Sequence, residues 1–206
     1  MGTNSGDSSG NSSNFATRAS IFIRLNSADA KPREIAWLEF HQRYAPIIAG
    51  FARNLGARAQ DVDDVIQDVL LGFYGQSPTF VYDPSRGRFR GYLKVCTFRA
   101  LKRRMGQNAR FNGVPLDDVD PESPDVERTW NDAWERESFA RAVAQLRREI
   151  GLTPRFKAFE RHVMEDVPAE QVARELGMHL NSVYRAKQQI ADKLKDRLKS
   201  MRDREE

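Results

Sequence analysis

Two blocks of basic residues carry the most distinctive chemistry of this 206-residue chain. Residues 86–104 hold eight bases and no acid, and residues 181–204 hold eight bases against three acids. The stretch between them is acidic, because residues 106–135 carry eight acids and only two bases, a balance of −6. The whole chain has a net charge of only +4. This pattern indicates that the chain contacts a polyanion through two separate surfaces.

Aromatic residues are interleaved with the first basic block. Basic side chains can hold a phosphate backbone while aromatic faces stack on exposed bases. Phe89 and Tyr92 fit the apolar stripe of a helix and are predicted to be core residues, whereas Phe98 lies off that stripe. The neighbouring loop, residues 80–90, is where a pocket for a base rotated out of a duplex would be built. The alternative interpretation of this block is a solvated charged face.

The second basic block contains the strongest local motif, PAEQVARELGMHLNSVYRAKQQI at residues 168–190. Two short amphipathic segments meet at Gly177, which permits a left-handed corner, as in a helix-turn-helix. Such a motif places the start of its second helix in the major groove, where Arg and Gln can read base edges. A helical hairpin with a polar outer face is the alternative. The residues predicted to face outward are Asn181, Ser182, Tyr184, Arg185, Gln188 and Gln189, with Lys187 predicted to contact phosphate.

A third pattern is a stripe of acidic residues on one helix. Asp61, Asp64 and Asp68 recur at three- and four-residue spacing with Gln67 and Leu71 on the same side, so this face can dock on a basic protein surface. Acids near a helix start also simply complement the helix dipole. A metal-dependent enzyme that uses these carboxylates is a weaker alternative, because no Ser–His or Cys–His set and no glycine-rich phosphate loop accompanies them.

Composition excludes several other classes. One cysteine and three scattered histidines predict neither an internal disulfide nor a metal site. No apolar run reaches the roughly 20 residues of a membrane span, and no signal peptide is recognisable. We therefore expect a cytoplasmic protein without a cofactor, a catalytic residue or a bound metal.

Hydrophobic periodicity predicts an all-α fold of two small helical domains joined by a flexible acidic linker. Residues 1–30 are predicted to be a disordered tail, and residues 31–105 a helical bundle with a kink or break at Pro46. The linker is predicted at residues 106–126 and the helix-turn-helix domain at residues 127–206. Fully extended, this linker reaches about 70–75 Å.

Three of these segments together resemble a known family. They are DVDDVIQDVLLGFY at residues 61–74, DPSRGRFRGYLKVCTFRALKRRM at residues 83–105, and the terminal helix-turn-helix. In combination and in this order they resemble bacterial RNA polymerase sigma factors of the extracytoplasmic-function (ECF) group over residues 33–200. Arg99 stands where the family commonly carries asparagine.

The resemblance implies a non-enzymatic initiation factor that gives core polymerase its promoter specificity. It implies that the acidic helix, at Asp61, Asp64, Gln67, Asp68 and Leu71, docks on the clamp coiled coil of the largest polymerase subunit. The C-terminal domain would read the minus-thirty-five element through residues 181–189 and touch the polymerase flap. Implied contacts to the minus-ten element, which help to open the duplex, are Phe80, Arg86, Arg88, Arg90, Lys94, Phe98, Arg99, Lys102 and Arg103.

The resemblance also allows an anti-sigma factor as a further partner, and it favours a monomer when the chain is free. It implies association with the nucleoid through the polymerase. The alternative function is a stand-alone helix-turn-helix regulator that dimerises through its N-terminal bundle. Such a regulator would ignore the polymerase.

Overall fold

The computed structural model describes residues 18–76, 89–105 and 110–205. The predicted all-α class is confirmed, because a two-stranded antiparallel hairpin is the only sheet in these ranges. The α-helices are α1 (Arg18–Leu25), α2 (Ala30–Asn54), α3 (Ala59–Gln76), α4 (Phe89–Met105), α5 (Pro124–Ile150), α6 (Pro154–Phe159), α7 (Ala169–Glu175) and α8 (Leu180–Glu205). Shorter elements are β1 (Arg110–Phe111), β2 (Val114–Pro115), a 3₁₀ turn (Leu116–Asp118) and a π-helical turn (Glu160–Met164).

The first core is a cluster of aromatic rings between α1, α2, α3 and α4. Phe40 of α2 stacks on Phe73 of α3 with ring centroids 4.7 Å apart, and Phe89 of α4 meets the Phe40 ring edge-on at 5.8 Å. Offset and edge-on ring pairs stabilise a core beyond the area that they bury. This cluster fixes how α3 and α4, the two helices with candidate binding residues, lie against α2.

Helix α1 lies within the segment that the sequence predicts to be disordered. Ile21, Phe22 and Leu25 are buried in the first core, and the Phe22 ring contacts that of Phe89 at 5.0 Å. The structure therefore differs from the prediction over residues 18–30. A short apolar run interrupted by Arg24 is a weak sequence signal, but Ile21, Phe22 and Leu25 close one side of the bundle.

Helix α2 runs without a break through Pro46, where a kink or break is predicted. The proline lacks an N–H and so removes a single intrahelical hydrogen bond. The buried side chains on both sides of it, among them Tyr44, Ile47 and Ile48, hold the helix in register. Gly56 follows α2 with φ +88°, the left-handed conformation that glycine commonly adopts after a helix C-terminus.

The predicted linker, residues 106–126, has regular structure from residue 110 onward. Asn112 (φ +50°) and Gly113 (φ +82°) form the turn of the β1–β2 hairpin, the conformation that a two-residue Asn-Gly loop favours. Leu116 and Val126 are buried in the first core. The structure thus differs from the prediction of a flexible tether over residues 110–126, because apolar residues between the acids fold back onto the bundle.

The second half of the chain builds two further clusters. The C-terminal half of α5 packs with α6 and α8, and the helix-turn-helix packs Val172 of α7 against Val183 and Ala186 of α8. Gly177 forms the predicted left-handed corner between α7 and α8, with φ +61°. Among the described helices, no stretch has both the length and the hydropathy required to cross a bilayer.

Candidate protein-docking and nucleic-acid surfaces

The outer face of α3 is a ridge of exposed side chains. Asp64, Gln67 and Leu71 recur at three- and four-residue spacing and are all exposed, with Leu71 at 55%. Val62, Val65 and Val69 on the other side of the helix are buried. The predicted polarity of this helix is confirmed, and we call Asp64, Gln67 and Leu71 the α3 ridge.

Asp61 and Asp68 lie at the flank of the α3 ridge, where each is half-buried and ion-paired. Asp61 accepts a hydrogen bond from Arg58 at 2.7 Å. Asp68 accepts bonds from Arg104 at 2.6 Å and from Arg103 at 3.0 Å. Part of the negative charge of α3 is therefore neutralised within the molecule, which leaves a mixed polar and apolar ridge rather than a bare acidic one.

The Asp68 carboxylate has a strongly shifted pKa. The hydrogen bond from Arg104, followed by that from Arg103, lowers the pKa of Asp68 to about 2 against the opposing effect of burial. Asp64 also accepts a bond from Arg104 at 3.2 Å. These pairs tie the end of α4 to the flank of α3.

Two residues of α4 that are predicted to contact minus-ten DNA are buried instead. Phe98 is 1% exposed and belongs to the first core, and Lys94 is 7% exposed and donates to Glu127 of α5. The interpretation of these two residues as DNA contacts is therefore wrong for this structure. The physical reason is that α4 is covered on a second side, where residues 117–131 lie along it.

The contacts of residues 117–131 with α4 are regularly spaced. Lys102 donates to the backbone oxygen of Asp117 at 2.8 Å, and Arg90 donates to the side-chain oxygen of Asn131 and lies 4.9 Å from the centre of the Trp134 ring. Phe98 lies one helical turn from Lys102 and one turn from Lys94, on the side of α4 from which these two cations reach residues 117 and 127. Two further predicted cations of α4 are thus engaged with neighbouring residues.

The side of α4 that stays open carries Arg99 and Arg103. Arg99 is exposed and has no ion pair with a described residue, while the Arg103 side chain is 65% exposed despite its contact with Asp68. Three other predicted minus-ten contacts, Phe80, Arg86 and Arg88, lie outside the described residues. The open side of α4 can therefore present two guanidinium groups to a phosphate backbone.

A groove of about 230 Å³ runs between α3 and α4. Its lining includes Asp68, Gly72, Tyr92, Cys96, Arg99 and Arg103. Burial raises the pKa of Tyr92 to about 12, helped by its hydrogen bond with Cys96, and burial also raises the pKa of the Cys96 thiol. Cys96 is half-buried at this groove, and its raised pKa favours the unreactive thiol form.

The first turns of α8 present the predicted base-reading residues. Val183, Ala186 and Ile190 are buried, which turns the other side of the helix outward. Gln188 donates to Asp192 at 3.0 Å, and the Tyr184 ring meets that of His162 edge-on at 5.9 Å. Ser182 is half-buried, and the other predicted base-reading and phosphate-contacting residues are exposed: Asn181, Tyr184, Arg185, Lys187, Gln188 and Gln189.

Residues 40–111 match the family described as Sigma-70 region 2. This segment is similar to sigma-70 region 2, and we call it region 2. It takes in most of α2, all of α3 and α4, and β1, so the α3 ridge and the open side of α4 both belong to it.

A relative supports the assignment over most of the chain. The ECF RNA polymerase sigma factor RpoE of Cereibacter sphaeroides is 25% identical over 172 residues, which cover 80% of this chain and 87% of that protein. The resemblance to ECF sigma factors is thereby confirmed, and the findings support a role as a sigma factor in transcription initiation. The solved structure of CnrH in complex with the cytosolic domain of CnrY is 17% identical, with a TM-score of 0.34, over 87% of this chain and 96% of that chain.

Sequence reasoning missed the contribution of α5 to region 2. Trp130 and Trp134 are buried in the first core, although they lie in the acidic stretch and within the range predicted for the second domain. Their spacing of four, with Val126 one turn earlier, is a helical apolar stripe of its own. This stripe can be recognised in the sequence, but the acidic residues around it favoured the interpretation of this range as a solvated segment.

Proposed function

We propose that this sigma factor binds core RNA polymerase through the α3 ridge and directs it to the promoters of a specific regulon. One observation carries the proposal. The region 2 match includes a helix whose Asp64, Gln67 and Leu71 side chains form a continuous exposed row. An exposed leucine bordered by polar groups can supply the apolar centre of an interface that has a polar rim. The proposed partner surface is the clamp coiled coil of the largest subunit.

The open side of α4 is the proposed contact with the minus-ten element. Arg99 and Arg103 are exposed, and Lys102 lies one helical position before Arg103, with a side chain that is 30% exposed. Guanidinium groups bind phosphate in a planar, bidentate way. We propose that these residues hold the DNA backbone beside the α3–α4 groove. Phe80, Arg86 and Arg88 remain predicted contacts for base capture and duplex opening.

The exposed side of α8 is the proposed reader of the minus-thirty-five element. Arg185 can pair with guanine and Gln188 or Gln189 with adenine in the major groove. Lys187 is placed to contact phosphate, which positions the helix without specifying sequence. The flap of the polymerase is the proposed protein contact of this half of the chain, and an anti-sigma factor remains a predicted partner.

Transcription in vitro with purified core polymerase on a random promoter library tests the proposal. Addition of this chain should produce transcripts whose templates share two sequence elements, and omission of the chain should abolish them. A library without any enriched element would contradict the proposal. So would a chain that dimerises on gel filtration and leaves transcription by the polymerase unchanged, since that is the behaviour of a stand-alone regulator.

A further inference from the structure

A π-helical turn separates α6 from α7 in the C-terminal half of the chain. It spans Glu160–Met164, and the Glu165 N–H donates to the Glu160 carbonyl, five residues earlier, at 3.0 Å. Such a turn holds one residue more than an α-helical turn, and π-helical turns are frequent at functional sites. This one packs against both helices of the helix-turn-helix, α7 and α8. Its side chains are therefore placed to act on α8.

Hydrogen bonds fix the shape of the chain as it leaves this turn. Asp166 adopts a left-handed conformation, with φ +55°, and the Val167 N–H donates to the Arg161 carbonyl at 3.0 Å. The Arg161 guanidinium donates to Glu175 of α7 at 2.8 Å. Since aspartate is one of the few residues that tolerate the left-handed conformation, residues 160–167 form a defined corner that is tied to α7.

The imidazole ring of His162 is held by this corner. Its Nδ1 lies 3.0 Å from the Val167 backbone oxygen. A carbonyl oxygen can only accept a hydrogen bond, so Nδ1 carries a proton and donates. Its Nε2 is buried and has no hydrogen-bond partner among the residues that the structure describes. The bond at Nδ1 therefore sets the orientation of the ring, and the rest of the ring makes packing contacts.

One of these packing contacts is with Tyr184 of α8. The His162 and Tyr184 rings meet edge-on, with centroids 5.9 Å apart and planes at 82°, an arrangement that aromatic pairs prefer. Tyr184 is nevertheless 47% exposed. It lies on the same side of the helix as Asn181 and Gln188, which are also exposed. The Tyr184 ring is thus supported from below and open towards a partner of α8.

The Tyr184 ring differs in chemistry from its polar neighbours on this side of α8. Asn and Gln side chains read base edges by hydrogen bonds, whereas an apolar side chain can contact the 5-methyl group that thymine displays in the major groove. A side chain that reads one methyl group must keep its ring in one place, because a change of rotamer moves the whole ring. Resting on the proposed function, we propose that Tyr184 reads a thymine methyl group in the minus-thirty-five element and that His162 is the positioning residue that holds the Tyr184 ring for this contact.

Replacing single thymines by deoxyuridine tests the contact, because this removes the methyl group and keeps the base pair. The probe is duplex promoter DNA that carries the two elements selected in the library experiment, bound by core polymerase loaded with the full chain. At one thymine of the minus-thirty-five element, the wild-type complex should lose affinity by about fourfold, the value expected for burying one methyl group. Tyr184→Phe should keep this discrimination, and Tyr184→Ala should reduce it to less than about twofold.

Two substitutions at His162 separate the ring contact from the hydrogen bond. His162→Phe keeps an aromatic ring beside Tyr184 and removes the donor, whereas His162→Asn keeps a side-chain N–H for the Val167 oxygen and removes the ring. We expect discrimination of about fourfold with His162→Phe and of less than about twofold with His162→Asn. The reverse result, or full discrimination with both variants, would overturn the positioning role.

A double-mutant cycle covers the case in which both variants lose discrimination. In a Tyr184→Ala background, His162→Asn should change promoter affinity by less than about twofold, because the side chain that His162 positions is absent. In the wild-type background the same substitution should weaken binding by up to about fourfold. Equal weakening in the two backgrounds would show that His162 acts through the fold alone and would overturn the inference.

Failure of this inference and failure of the proposed function give different results. An enriched minus-thirty-five element without thymine on either strand would overturn the methyl contact while leaving the sigma-factor proposal intact. So would an element whose thymines all accept deoxyuridine without loss of affinity. A polymerase that selects no minus-thirty-five element with this chain would instead contradict the proposed function.

Discussion

The basic side chains of α4 differ in how accessible they are to DNA phosphates. On α4, Lys94 is enclosed with Glu127 and Arg90 is held between Asn131 and Trp134, whereas Arg99 is exposed. A buried, paired charge contributes to the orientation of neighbouring elements. Only an exposed cation can release counterions from DNA. The number of bases in a segment therefore overstates the number of phosphates that it can contact.

Arg99→Ala and Lys94→Met separate these two kinds of cation. Arg99→Ala should weaken binding of the polymerase-bound chain to promoter DNA and reduce the slope of log K against log salt by about one. Lys94→Met, of similar length and uncharged, should leave that slope unchanged, because Glu127 is 46% exposed and turns to solvent when its partner is removed. Salt titrations of binding to a labelled promoter measure both. A reduced slope with Lys94→Met would show that Lys94 reaches DNA after all.

Asp68 predicts a pH dependence of stability. Its folded-state pKa of about 2 lies below the usual 3.8, so its pairs with Arg103 and Arg104 stabilise the fold above about pH 4. That contribution is lost as the pH falls towards 2. After allowance for solvent screening, Asp68→Asn should cost about 1 kcal/mol at neutral pH, and its difference from wild type should shrink as the pH falls from 4 towards 2.

Urea unfolding of both proteins across this pH range measures the difference. Asp63→Asn is the control, because Asp63 is an exposed carboxylate on the same helix, five residues before Asp68, and should change stability little at any pH. A difference between wild type and Asp68→Asn that stays constant down to pH 2 would exclude these ion pairs as its source.

Among the elements, the sequence predicts helices best where one face is apolar and the other polar. Helix α3 and the start of α8 have that pattern, and apolar side chains such as Val65 and Val183 are buried on one side of each. Helix α4 does not, because it is covered both by α3 and by residues 117–131. A prediction that assumes one apolar stripe on α4 therefore places Phe98 outside the core. The burial of α1 and of the first half of α5 depends on contacts between distant segments, which periodicity within one segment cannot reveal.

The role of α5 in the first core leads to a stability prediction. Trp130 is fully buried against Phe51, so Trp130→Ala should destabilise the protein by about 3–5 kcal/mol through lost packing and a cavity. Leu38→Ala removes an apolar side chain that is 57% exposed and should change stability by less than about 0.5 kcal/mol. Denaturant unfolding followed by circular dichroism compares the two. Equal effects would mean that α5 does not complete the core of region 2.

At the scale of the whole molecule, acids accompany the basic residues of α4 on both sides. Arg103 and Arg104 pair with α3, and Lys94 and Lys102 contact Glu127 and Asp117. These local pairs reduce the positive potential that a free DNA duplex would encounter. We therefore expect the isolated chain to bind promoter DNA weakly and to depend on the polymerase to bring both DNA-binding surfaces to the duplex.

The contact with the polymerase is the claim on which this account rests, and Leu71 is the residue best suited to test it. Asp68 is less suitable, since a substitution there also breaks its pairs with Arg103 and Arg104. Leu71 is 55% exposed and Leu38 57%, so Leu71→Asp and Leu38→Asp make the same chemical change at equally exposed positions. Only Leu71 lies on the α3 ridge.

The decisive measurement is the affinity of core RNA polymerase for wild-type chain, Leu71→Asp and Leu38→Asp, each labelled with a fluorophore at its N-terminal amine. A charge placed in the centre of an interface should weaken binding by at least about tenfold. The account predicts that loss for Leu71→Asp alone, with Leu38→Asp equal to wild type. Wild-type chain that fails to bind the polymerase, or Leu71→Asp that binds as tightly as wild type, would contradict it.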